Sequence, residues 1–176
     1  MKQRLWHASD REDIEVFVPR LPQPATDDSE RAFVWAIVEN RLPNYLVPRE
    51  CPRVCFWRGA PTTDEDCAAF LGTSRHVVAV KDRWMPMLQS SSIWLYELPS
   101  EPFACTDENA DYFTSQASVR PLAKFQVKYL QHALAARGVE LRTTSRLRAL
   151  AESVADSTLA FSIIRLRNAA TIPDAA

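Results

Sequence analysis

Proline sets the first limit on what this chain can fold into. All but one of its twelve prolines fall at or before Pro121, and only three glycines accompany them. Proline fixes its own φ, has no amide to donate and turns the preceding residue away from helix. The chain up to residue 121 is therefore cut into short pieces, which favours short strands and rigid loops over a helical bundle. Glycine is equally restrictive: Gly59, Gly72 and Gly138 cannot form a dinucleotide fingerprint or a Walker A phosphate loop.

Seven segments carry the strand signature of β-branched or aromatic residues bounded by Pro, Ser, Asp or Gly: 4–8, 33–38, 53–57, 76–80, 93–97, 112–114 and 119–127. The runs His76–Val80 and Ile93–Glu97 are nearly all apolar, as central strands are. Thr63–Phe70 reads as a helix, with Thr62 or Thr63 as its cap, acids in its first turn and Gly72 near its end. A further helical turn is expected over Trp84–Leu88. Beyond residue 128 the period changes. Tyr129–Arg137 and Ser145–Val154 have helical spacing, Glu140–Arg142 looks like a strand, and Phe161–Leu166 suits either element. The expectation is one α+β domain over 1–170, with a short, mostly antiparallel split sheet, helices concentrated in the C-terminal third and a frayed tail over 171–176. Pro19–Arg31 is read as a loop, either a plain connection or a lid.

Twenty-one basic residues against 22 acidic ones leave a net charge of -1, so no global field draws the chain to nucleic acid or an anionic membrane. The N-terminus lacks a signal peptide's apolar core, and no run approaches the ~18 apolar residues of a membrane span. Cys51, Cys55, Cys67 and Cys105 are then expected as free thiols in a cytoplasmic protein. Cys51, Cys55, Cys67 and His76 match no usual zinc spacing, and no metal is expected. Cys51 lies between Arg49 and Arg53, which would lower its pKa if it were exposed.

Three groups of residues have chemical potential. His7 leaves the first strand, followed by Ser9, where rigid support would hold a polar ring in place. Asn44, Tyr45, Arg49 and Arg53 lie on a loop braced by Pro43, Pro48 and Pro52; they suit a binding wall for an anionic, partly aromatic ligand such as a nucleotide. Arg142, Arg146, Arg148, Arg165 and Arg167, with Lys124 and Lys128, give the C-terminal third a basic bias. That bias reads as a solvated face or as a patch for an RNA end or a partner protein. No Gly-x-Ser-x-Gly elbow supports a hydrolase.

The segments Leu5–Ser9, Ile14–Arg20, Val34–Ala36, Leu42–Leu46, Pro48–Val54, Ser74–Ala79 and Arg165–Ala169 resemble an uncharacterised bacterial domain family. Its members open with strand–His–small–Ser and continue to Phe-x-Pro-Arg. The resemblance covers most of the chain and implies no activity. A second resemblance is to the ADP-ribosyltransferase fold, including the small bacterial enzymes that modify rifamycins. It lies in the order of a His ending the first strand, an aromatic–small pair on the second and a later acid. This resemblance implies NAD as ligand, His7 on the ribose, Trp35 (or Val34, by the alternative alignment) in the place of a stacking tyrosine, and Asp107 or Glu108 as the acid. The chain departs from the family at Ser115-Gln116-Ala117, where many members carry a catalytic glutamate. The expected function is nucleotide binding with transfer of ADP-ribose to an acceptor; the alternative is a non-enzymatic binding module on the same scaffold.

Overall fold

A computed structural model of the chain describes residues 3–21, 31–107 and 111–170. Along it run β1 (Leu5–Ser9), β2 (Val34–Val38), β3 (Arg53–Trp57), α1 (Asp64–Asp66) with a π-turn over Cys67–Leu71, β4 (His76–Lys81) and α2 (Met85–Ser90). Then follow β5 (Ile93–Leu98), β6 (Ala104–Asp107), β7 (Tyr112–Ser115), β8 (Ala123–Val127), α3 (Leu130–Ala135), β9 (Glu140–Thr144), α4 (Leu147–Ala155) and β10 (Ala160–Ile164). Most of the middle of the proposed lid, residues 22–30, and the tail 171–176 lie outside the described residues.

The chain forms two compact units that interleave in sequence. The first takes its residues from Met1–Leu42 and Ile93–Val127, the second from Pro43–Ser92 and Lys128–Ala176. The first unit is a six-stranded sheet in the order β6-β7-β2-β1-β5-β8, with every neighbour antiparallel. Leu5, Val34, Ala36, Val38, Tyr96 and Leu98 share one face and build its core with Phe17 and Val119. The period of two along each strand produces that shared face.

The second unit is a four-stranded sheet in the order β10-β3-β4-β9, antiparallel except for the β4–β9 pair. Val54, Phe56, Val77 and Ala79 meet Leu147, Ala151 and Val154 of α4, whose i, i+4, i+7 spacing forms one apolar stripe.

The α+β class is as expected, and the departures have local causes. The strand expected from residue 119 begins at Ala123, because Pro121 cannot donate to a ladder; Val119 instead exchanges isolated bonds with Phe17 at 2.8 and 2.9 Å. Thr63 does cap α1, accepting from the Asp66 amide at 3.2 Å, but the helix passes after one turn into the π-turn, which Gly72 ends at φ 58°. The expected concentration of helices at the C-terminal end is corrected. α1 and α2 precede residue 92, with Pro86 of α2 in the first turn, where its missing amide breaks no helical bond. The C-terminal third also carries β9 and β10.

On β9, two residues of one face form a tight pair. Arg142 donates from Nε and Nη2 to the two carboxylate oxygens of Glu140 at 2.8 and 3.0 Å, and from Nη1 to the Phe70 carbonyl at 2.7 Å. Hydrogen bonding to Arg142 holds the Glu140 carboxyl below its ordinary 4.5, assisted by the Ser74 hydroxyl, against the opposing effect of partial burial. A carboxylate depressed in the folded state stabilises it above the unfolded pKa, and that contribution is lost as pH falls through the lower folded value. We expect the wild-type denaturation midpoint to fall as pH drops below 4.5, and Glu140→Gln to flatten that decline. Parallel curves for the two proteins would refute this role.

Candidate functional site

In the first unit, His7 occupies the point where β1 and β2 part. The ladder pairs Leu5 with Val38 and Trp6 with Ile37. One residue further on, His7 Nδ1 lies 2.8 Å from the carbonyl oxygen of Trp35. A carbonyl only accepts, so Nδ1 carries the proton, and in the neutral ring Nε2 is the acceptor. The half-buried imidazole packs on Phe17, with centroids 4.7 Å apart. Ser9, two residues on and on the same face, is buried and accepts from the Arg11 amide at 3.1 Å.

Residues 11–14 are tied down by fully buried Tyr96, whose hydroxyl donates to the Arg11 carbonyl at 2.8 Å and lies 3.3 Å from the Ile14 amide. Lys124 Nζ adds a bond to the Glu12 carbonyl at 2.8 Å. Phe17 and Tyr96 thus support His7, and sequence reasoning passed over both. The signal in the sequence is a tyrosine inside a mostly apolar central strand.

Trp35 does not join His7. Pairing of Leu5 with Val38 places His7 on the face that holds Val34, Ala36 and Val38, while Trp35 alternates to the other. There the indole is 38 % exposed and meets Phe33 and Tyr112 edge-on. The expected pairing of imidazole and indole over one ligand is thereby corrected. Val34, the alternative alignment, is on the His7 face but buried and without a ring. Asp107 ends β6 opposite Tyr112, and β6 is three strand spacings from β1. At about 4.8 Å per spacing, its backbone lies on the order of 14 Å from β1. Glu108 lies outside the described residues.

Asn44, Tyr45, Arg49 and Arg53 belong to the second unit. Arg53 is 3 % exposed. Its Nε donates to the Asn44 carbonyl at 2.7 Å, and Nη1 donates to the carbonyls of Cys51 and Arg49 at 2.9 and 3.3 Å. The guanidinium stands 5.5 Å from the centroid of the Tyr45 ring. Asn44 is buried, with Oδ1 2.8 Å from His76 Nε2. Arg53 and Asn44 therefore hold the proline-braced loop in place, and of the two arginines only Arg49 stands exposed.

The thiols are free, as expected. The exposure that would activate Cys51 is absent: the thiol is buried, and burial pushes its pKa up to about 12, outweighing the nearby Arg53 charge. Cys55 is likewise pushed up to about 12 by burial. Among the described residues no group of three or more His, Cys, Asp or Glu could hold a metal ion. No helix among them is long and apolar enough to cross a membrane.

Residues 6–169 match the model of a Family of unknown function (DUF6886). No curated protein and no solved structure matches the chain. The matched span takes in β1 with His7, the proline-braced loop and the Arg165–Ala169 segment, as the first sequence resemblance implied for an uncharacterised family. The chain belongs to DUF6886, a family whose function is unknown.

Proposed function

We propose that the first unit binds NAD or a related nucleotide on the His7 face of its sheet, with the imidazole orienting a ribose. The observation that carries this reading is the 2.8 Å contact between His7 Nδ1 and the Trp35 carbonyl. It fixes the ring's orientation at the strand exit, where the imidazole meets a ribose hydroxyl. Phe17 holds the ring from the side and Ser9 anchors the turn that follows, so the group is oriented before any ligand arrives. Transfer of ADP-ribose would further require a carboxylate near the glycosidic bond, to stabilise the positive charge that develops as nicotinamide leaves. Asp107 or Glu108 is the candidate for that carboxylate.

Titration calorimetry with NAD tests binding, and nicotinamide release tests transfer. We expect His7→Ala to weaken NAD binding about tenfold, the worth of one hydrogen bond and its ring contact. Trp35→Ala, on the opposite face, is expected to change it by less than about twofold. No NAD binding by the wild-type protein, or a larger loss from Trp35→Ala than from His7→Ala, would overturn the proposal.

A further inference from the structure

Two arginine-bearing segments, 118 residues apart in sequence at Glu50 and Asn168, meet within the second unit. The Asn168 side-chain amide donates to the Glu50 backbone carbonyl at 2.8 Å and to its carboxylate at 2.9 Å. The other carboxylate oxygen lies 3.5 Å from Arg165 Nη2 and 4.0 Å from Arg49 Nε. Arg53 is buried beneath Arg49 and donates to its carbonyl. Arg83 donates to the carbonyl of Ala169, the residue after Asn168.

Positive charge is concentrated here. Arg165 ionises less readily than an ordinary arginine, first because it is partly buried and then because Arg167, Arg49 and Arg53 crowd it; Glu50 opposes that crowding. The backbone is unusual as well: Arg165 has φ 55°, in the left-handed region that non-glycine residues seldom adopt. Such conformations persist where surrounding structure holds them and cluster at ligand clamps. In a chain of net charge -1, several guanidiniums around one half-exposed carboxylate are a local exception.

We propose that Arg49 and Arg165, flanked by exposed Arg167 two residues on, form an anion site that takes a terminal phosphate or diphosphate group, with the Glu50 carboxylate standing in for the phosphoryl oxygens when no ligand is bound. Guanidinium forks match phosphoryl oxygens in pairs, and a phosphate carries more charge than the carboxylate it replaces. Glu50 is exposed enough to swing outward. Asn168 then remains beside the ligand as a neutral donor. The site lies wholly in the second unit and does not depend on nucleotide binding at His7.

Titration calorimetry of the full chain with inorganic pyrophosphate, at two salt concentrations, tests the proposal. We expect binding that weakens as salt rises. Charge reversal at Arg49→Glu and Arg167→Glu, both exposed side chains whose replacement leaves the core intact, is expected to weaken it at least about tenfold. Glu50→Gln removes the competing charge, keeps an acceptor for Asn168 and is expected to tighten binding several-fold. Unchanged circular dichroism would confirm that the variants are folded. Failure of both wild type and Glu50→Gln to bind pyrophosphate would overturn the proposal, as would equal binding by the arginine variants. An RNA oligomer with a 5′-hydroxyl end serves as the second ligand. If it binds more tightly than pyrophosphate and with the same arginine dependence, the cluster reads phosphodiester backbone, and the terminal-phosphate assignment fails.

Discussion

Arg53→Met is expected to destabilise the protein by about 3–5 kcal/mol, because three carbonyls lose their common donor. The side chain is 3 % exposed and donates to the carbonyls of Asn44, Cys51 and Arg49. Methionine fills much of the volume of the arginine stem but offers no donor. Buried carbonyls are then left without partners, each at a cost of about 1–3 kcal/mol, partly offset because no charge has to be desolvated. Arg53 ties both ends of the Asn44–Cys51 loop at once, so the loop's accessibility to protease should rise as well. Arg53→Lys keeps the charge but cannot reach three carbonyls in a planar fork, and is expected to recover less than half of the loss. Urea denaturation of the three proteins measures this. A methionine variant within about 1 kcal/mol of wild type would mean that the carbonyls find other donors, and the anchoring role would fall.

Phe56→Ala should cost a comparable about 3–5 kcal/mol, by a different mechanism: lost burial together with the cavity left behind. Phe56 is fully buried in the middle of β3, packs edge-on against Phe70 at 6.4 Å and lies under the Arg142 guanidinium at 5.6 Å. Its register partner Phe161 points to the same face from β10, an edge strand, and is 42 % exposed. Phe161→Ala is therefore expected to cost less than about 1 kcal/mol. Two phenylalanines paired across adjacent strands should thus differ several-fold in effect. Equal losses would show that the edge strand is packed as tightly as the centre.

The sequence resolved the strands wherever β-branched or aromatic residues ran between breakers. β3 emerged with the expected bounds Arg53–Trp57, and β4 and β5 each extend one residue past the expected end. β6 went unread because Ala104-Cys105-Thr106-Asp107 has no apolar run and pairs with β7 through an irregular register. In sequence Arg53 and Asn44 suit a ligand wall because an arginine in a proline-rich loop looks the same whether it faces solvent or three carbonyls; only burial separates the two. The same holds for Cys51. Flanking arginines argue for a low pKa in an extended chain, and desolvation reverses the sign once the thiol is enclosed.

The α+β class, the short elements, the free thiols and a histidine at a strand exit are all legible in the amino-acid order. These follow from local rules: proline geometry, β-branching and turn chemistry act over a few neighbouring residues. Tertiary structure alone decided which of these side chains meet. Pairing of Leu5 with Val38 sends His7 and Trp35 to opposite faces, and a slip of one residue would have reversed the outcome. Glu50 and Asn168 come together across most of the chain's length because two strands of one sheet, β3 and β10, lie side by side. Such partnerships are set by long-range pairing, which no local pattern records.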